Sequence, residues 1–257
     1  MKTSANHLGL LAGLITVVLV TTGCESPHQV CCAMPGSVCA AKVTALSPVP
    51  TKESQTAMTP QQALAQLRDG NARFAAGQSL IRDFPAEVKA TVSGQYPFAV
   101  VLSCLDSRQS SEIIFDQGIG AIFSARVAGN VLDDDILGSM EFACKVSGAK
   151  LIAVIGHSNC GAIKGAVDNV ELGNLTGLLN KIKPAIDAVP ADVQPRTTKN
   201  YAFINDVSEA NVKLVMKEIR ERSPILREML DMGQIELVGG MYDLATGKVE
   251  FYDSQAK

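Results

Sequence analysis

Two kinds of hydrophobic pattern alternate along this chain. Phe98 to Ser103 and Leu151 to Ile155 are nearly continuous apolar runs rich in branched residues, a pattern that predicts strands buried on both faces. Ala121 to Arg126 predicts another strand, and Ile235 to Tyr242 with Lys248 to Tyr252 predict a hairpin turning through Asp-Leu-Ala-Thr-Gly. Between these runs apolar residues recur every three or four positions. Thr59-Pro60 is a cap followed by a first-turn proline, and it opens a helix to Ala76 carrying Ala63, Leu64, Leu67 and Phe74. Further helices are predicted over Ala86–Val92, Asp135–Ser147 (ended by Gly148), Cys160–Val170, Leu175–Val189, Val207–Arg222, and from Pro224 to Gly233. Strands alternating with helices indicate an α/β fold, a mostly parallel central sheet with an antiparallel edge strand, flanked by helices.

The first 57 residues break both patterns. Lys2 precedes an uncharged apolar run from Leu8 to Val20, too short to span a bilayer comfortably, so residues 1–23 are expected to be a signal peptide. The Gly23-Cys24 junction resembles a bacterial lipoprotein cleavage site, although Thr21 stands where that motif prefers leucine. A lipid anchor at Cys24 and a periplasmic, membrane-tethered location follow from that resemblance; plain cleavage near Ala33 or Ala40 would leave a secreted soluble protein. Residues 24–57, rich in Pro, Ser, Thr and Ala, are expected to form a disordered linker, and 58–257 the folded domain. Cys31, Cys32 and Cys39 lie in that linker, where disulfide pairing or modification is the expected fate.

Composition narrows the function. The 257 residues are 47% hydrophobic and 19% charged, ordinary for a protein with a real core. A net charge of -3 and the absence of tryptophan give no case for nucleic-acid binding.

The reactive side chains sit where predicted strands stop. Cys104, Asp106 and Arg108 follow one strand end; His157 and Cys160 follow another. Ligands of open α/β sheets gather beyond the carboxyl ends of the strands, so the two segments are expected to meet at one rim. Two thiolates and an imidazole with a fourth position open are what a catalytic zinc takes, and thiolates exclude magnesium and calcium. Asp106 would either accept a hydrogen bond from solvent in the open position or fill that position itself. Arg108 offers a fork of donors that would hold the carboxylate away. Taken singly, the thiols also fit buried structural cysteines or a Cys104–Cys160 disulfide, and His157 fits a core histidine. Cys144, on a helical apolar face, reads as core. Asp133, Asp134 and Asp135 read as a solvated helix start, and Arg126 and Asn130 as structural residues or as the lining of a subunit cleft.

Together, "CLDSR" and "GHSNCGA" resemble the β-class carbonic anhydrases, whose signature is Cys-x-Asp-x-Arg followed later by His-x-x-Cys-Gly. "IFDQGIGAIFSARVAGN" and "GGMYDLATGKV" are similar to the family as well, and the likeness runs in order from Thr59 to Tyr252. It implies zinc on Cys104, His157 and Cys160, with Asp106 and Arg108 as a catalytic gating pair. It also implies that Gln117 contacts substrate and that Gly161 leaves room for backbone donors near the metal. The implied reaction is reversible hydration of CO2 to bicarbonate and a proton. The implied assembly is a homodimer or higher homo-oligomer embraced by N-terminal dimerisation helices, with Pro60–Ala76 in that role. A sulfur relative of CO2 (carbonyl sulfide or carbon disulfide) is the alternative substrate on the same site, and a non-catalytic zinc or thiol lipoprotein the alternative class. Gln109-Ser110-Ser111 departs from the Val-Pro type sequence of many members. His157 is the only histidine in the expected domain, so protons are expected to leave through water, buffer, or carboxylates such as Asp106. Ile122 or Phe123 is a candidate wall for a dry CO2 pocket.

Overall fold

The computed structural model describes residues 49–252. The expected signal peptide, the lipidation site and the linker cysteines therefore lie outside the described residues. Five strands form one sheet in the order β2-β1-β3-β4-β5: β1 (Ala99–Ser103), β2 (Ile122–Arg126), β3 (Leu151–His157), β4 (Glu236–Tyr242) and β5 (Val249–Phe251). β1 pairs in parallel with β2 and β3, β3 pairs in parallel with β4, and only β5 runs antiparallel. The expected fold class is observed.

The apolar runs are continuous because both faces of the sheet are covered. Val100, Leu102, Ile152 and Val154 point into one core cluster; Ala99, Val101, Leu151, Ala153 and Ile155 point into another. This is the two-residue period of a strand applied to two hydrophobic faces at once. The first face is covered by α5 (Asp134–Glu141), α9 (Tyr201–Arg222) and α10 (Pro224–Asp231) through Leu137, Met140, Val212, Val215, Ile219, Leu226 and Met229. The second is covered by α2 (Pro60–Ala75) and α4 (Ser111–Ile114) through Ala63, Leu64, Leu67 and Ile114. Truncating a fully buried leucine such as Leu102 to alanine would cost about 2–5 kcal/mol. α9 lies unusually close to the sheet. A Cβ on Gly156 would stand 2.8 Å from Val212, and one on Gly239 would stand 2.6 Å from Met216. A third apolar cluster lies past the strand ends, between α6 (Gly161–Val167), α7 (Gly173–Asn180), α8 (Lys183–Ala188) and the start of α9.

Several boundaries differ from expectation. The last residues of the expected disordered linker are a helix, α1 (Lys52–Ala57), closed by a capping box between Thr51 and Ser54. Its Gln55 is buried and donates to the carbonyls of Pro97 and Ser147, so this segment belongs to the folded part. Composition alone misread it, because a six-residue helix held by one buried amide leaves no periodicity. α3 (Phe84–Thr91) begins two residues early, with Pro85 in its first turn. The single helix expected over Leu175–Val189 is two, α7 and α8, with Pro184 opening the second. α9 begins six residues early, at a cap supplied by Asn200. The apolar stripe of α2 packs on the second face of its own sheet, which would otherwise be bare. Among the described residues no helix is long and apolar enough to cross a membrane.

Candidate metal centre

β1 and β3 are parallel neighbours in register, Ser103 opposite Ile155, so the segments leaving the two strands emerge at the same rim. Cys104 is the first residue past β1, and His157 is the last residue of β3. Asn159 then takes a left-handed conformation (φ 57°), which turns the chain sharply into α6 and returns Cys160 toward His157. The Asn205 side chain of α9 accepts from the Asn159 N–H at 3.0 Å and fixes that turn. The Ser158 N–H donates to the Tyr242 carbonyl at 2.9 Å, and the Ser158 hydroxyl accepts from the Leu244 N–H at 3.0 Å. The turn is thus tied to α9 on one side and to the β4–β5 hairpin on the other.

Cys104, His157 and Cys160 converge, each buried, with one ligand atom apiece lying within 4.8 Å of the others. The sulfurs are 3.9 Å apart, too far for a disulfide, and both cysteines are free. His157 Nδ1 faces the Ser158 carbonyl at 3.0 Å, which makes it the protonated nitrogen and leaves Nε2 with its lone pair. That Nε2 is buried and has no hydrogen-bond partner. A core histidine would have satisfied both nitrogens. The thiols respond to one another: the neighbouring Cys160 thiol, the His157 ring and the Gly129 N–H draw Cys104 down, while the adjacent Cys104 sulfur and burial drive Cys160 up. The first proton leaves this pair easily, and the second is held by charge repulsion that a dication would remove. Two sulfurs about 2.3 Å from one tetrahedral ion stand about 3.8 Å apart, close to the 3.9 Å observed. The donor set therefore fits zinc.

Asp106 stands beside this triad without joining it. Arg108 grips its carboxylate as a fork, Nε on Oδ1 at 2.9 Å and Nη2 on Oδ2 at 2.7 Å, with the Arg108 N–H on Oδ1 at 3.0 Å. The guanidinium holds the Asp106 carboxyl well below the usual carboxylate range. Oδ2 lies 3.9 Å from His157 Nε2, so the carboxylate stands beside the triad, held by Arg108. Of the two roles open to Asp106, this geometry is the open one. Arg126, at the end of β2, donates to the carbonyls of Cys104 at 3.2 Å and Asp106 at 2.5 Å, holding the loop from behind.

This combination of buried sulfur, an unpartnered imidazole nitrogen and a forked aspartate has known relatives. A family model described as carbonic anhydrase matches residues 99–249. The chain belongs to the β-class carbonic anhydrase family. It is 35% identical over 192 residues to the carbonic anhydrase of Mycolicibacterium smegmatis, covering 74% of this chain and 92% of that one. It is 33% identical over 195 residues to carbonic anhydrase 2 of Mycobacterium tuberculosis, covering 76% and 93%. The crystal structure of a β-carbonic anhydrase of Aspergillus fumigatus superposes with a TM-score of 0.60 at 25% identity, over 77% of this chain and 92% of that one.

The other expected site residues have the following surroundings within the chain. The buried Gln117 side chain donates to the Phe115 carbonyl at 2.7 Å and accepts from Gln66 at 3.3 Å, and neither partner belongs to the triad. Within this chain Gln117 is tied to α2 and the end of α4. Gly161 is exposed, and a Cβ there would meet nothing within 4 Å, so nothing in this chain requires the missing side chain. Ile122 and Phe123 stand opposite Ala99 and Val100 at the amino end of their strand, away from the rim, and cannot wall the centre. Phe123 instead lines a groove of about 670 Å³ with Ile136 and Phe142. The apolar residues clustered with Cys104 and Cys160 are Val131, Ile163, Ile182 and Phe203. Gln109, which departs from the family pattern, is fully buried and donates to the carbonyls of Ile155 (3.2 Å) and Gly156 (3.4 Å), extending the sheet bonding past the end of β1. Sequence reasoning missed the supports Asn205, which holds a backbone N–H 46 residues away, and Gly129, which acts through its own N–H.

Proposed function

We propose that the chain hydrates CO2 reversibly, CO2 + H2O to bicarbonate and a proton, with zinc held by Cys104 Sγ, His157 Nε2 and Cys160 Sγ. One observation carries the assignment: a buried, unpartnered Nε2 facing two thiols whose separation suits a tetrahedral ion. Bound there, zinc supplies a nucleophile at neutral pH by lowering the pKa of water to about 7, and a Lewis acid for the carbonyl oxygen.

The protein's residues do the rest. Ser158 fixes the His157 tautomer by accepting the Nδ1 proton at its carbonyl. Asp106, ionised and clamped by Arg108, can only accept hydrogen bonds. Its Oδ2 therefore orients the proton of the attacking solvent molecule and leaves an oxygen lone pair for the carbon. Arg108, with a side chain 58% exposed, sits on the solvent side of that carboxylate. Asp106 is too acidic to hold a proton near neutrality, so it does not serve as a carrier. The product proton passes to solvent water or buffer, since His157 is fully engaged. The test is zinc content per chain together with CO2 hydration rate, in the wild type and in Cys160→Ser.

We also infer assembly into a homodimer or higher homo-oligomer. Phe84 and Val88 of α3, with Val92 just past it, are more than half exposed, as is Phe142 beyond α5. Apolar groups at such density favour a partner surface. Light scattering tests this. From Lys2, the apolar run Leu8 to Val20 and Gly23-Cys24, we infer export and lipid attachment at Cys24, with residues 24 to about 50 as tether to the domain. Mass spectrometry of the mature N-terminal peptide decides between lipidated Cys24 and cleavage further on.

A further inference from the structure

We infer that Asn211 is a positioning residue for the metal centre: from α9 it fixes the Gly129 turn so that the Gly129 N–H points at the Cys104 sulfur. The inference rests on the zinc assignment above and concerns how one of its ligands is held.

The Gly129 N–H lies 3.3 Å from Cys104 Sγ, a hydrogen bond to sulfur inside the core. It comes from a short 3-10 turn, Ala128–Asn130, in which two successive residues have positive φ, Gly129 at 66° and Asn130 at 43°. Only glycine fits the first position. A Cβ there would be strained by φ and would stand 2.8 Å from Ile182 Cδ1 and 3.2 Å from Ala162 Cβ. The turn's own backbone supplies the bond from Asn130 N–H to the Val127 carbonyl. A three-residue turn of such permissive backbone does not by itself fix the direction of an amide.

Asn211 provides the constraint. Its side chain is 1% exposed, and Nδ2 donates to the Gly129 carbonyl at 2.8 Å across 82 residues of sequence. Its other atom, Oδ1, is buried without a partner. An asparagine held in the core with half its polarity unsatisfied is costly to the fold. Its one hydrogen bond leads to the turn whose N–H meets the ligand sulfur. The close approach of α9 to the sheet over Gly156 places Asn211 within reach. The N–H donor draws charge from one thiolate and orients its lone pairs, and groups that orient metal ligands in this way set affinity and acidity at the ion.

The test uses the full chain with Asn211→Leu, which keeps the size and removes the donor, and Asn211→Asp, which keeps the shape and replaces the donor with an acceptor. Zinc affinity is measured by competition with a chromophoric chelator. The cobalt-substituted protein is read by its thiolate-to-metal charge-transfer band, and the apo-protein by thermal melting. Zinc binding is expected to weaken about 10–100-fold in both variants. The band is expected to move to longer wavelength, because a sulfur without its donor holds its lone pairs at higher energy. A lowered melting temperature with unchanged affinity and an unshifted band in either folded variant would make Asn211 a packing residue and overturn the inference. If the wild type itself takes up no zinc, the metal assignment fails first, and the two failures are told apart by that measurement.

Discussion

Among the described residues, two clusters of largely buried ionisable side chains are finished differently. One lies by the loop into β2, where Asp116 accepts from Arg73 Nε at 2.6 Å and from the Leu80 N–H at 3.2 Å. There Arg82 donates to the Asp116 carbonyl at 2.5 Å and to Glu87 at 3.4 Å, and Glu87 accepts from the Ile119 N–H at 2.9 Å. Opposite charges and backbone donors close that cluster on itself. At the rim of β1 and β3, two thiols and an imidazole face inward with a buried nitrogen left over. A structural cluster balances its own charge, whereas a ligand cluster is balanced only by what it binds.

The comparison breaks first at Cys160→Ser. A serine hydroxyl does not ionise as a thiol does, so the third ligand is lost. Zinc is expected to fall from one per chain to a small fraction, and hydration to drop by at least about 10³-fold. Elemental analysis with stopped-flow hydration checks both; a variant at full activity would sink the zinc mechanism. Asp116→Asn attacks the other cluster. Removing the carboxylate leaves the partly exposed Arg73 without its closest partner, while Arg82 keeps Glu87, and costs about 2 kcal/mol, a fall of roughly 4–8 °C in melting temperature for a domain of this size. Zinc per folded chain should stay at the wild-type value. If it is lost as well, the two clusters are not independent.

The sequence disclosed the two clusters unequally. β1 and β3 were legible nearly to the residue, because strands buried on both faces leave unbroken apolar runs. The Cys104, His157 and Cys160 group was legible because thiol and imidazole at strand ends have few other uses together. The closed cluster left no trace: nothing in the spacing of Arg73, Arg82, Glu87 and Asp116 pairs them until the fold brings them together. The supports of the centre were hidden for a related reason. Gly129 acts through a backbone N–H and Asn211 through a contact 82 residues distant, and neither carries a signal in residue type or spacing. Gln117, which the family resemblance puts in contact with substrate, has Phe115 and Gln66 as its hydrogen-bond partners within the chain.

Asp106→Asn sharpens the comparison inside the open cluster. The amide keeps the size of the carboxylate, loses its charge and presents a donor where an acceptor is needed. Turnover should fall about 10²-fold, while zinc content remains one per chain. Equal loss of zinc would mean that Asp106 holds the metal and does not merely orient solvent beside it.

The smallest effect is expected at a third kind of buried thiol. Cys144 lies in the core cluster with Leu137 and Met140, and burial alone pushes it up to about 12. At pH 8 only about one molecule in 10⁴ would carry its thiolate, so an alkylating reagent should leave the Cys144 peptide unlabelled in the native protein. Cys104 should be protected while zinc is bound and labelled once it is chelated, because the neighbouring Cys160 thiol and the Gly129 N–H favour its thiolate. Peptide mapping separates them from the cysteines before residue 49. Cys144→Ala should cost about 1 kcal/mol of stability with zinc and turnover unchanged. Labelling of Cys144 at the rate of Cys104 would mean that the polar neighbours of Cys104 do not set it apart from a structural sulfur, and that the unpartnered His157 nitrogen alone marks the metal centre.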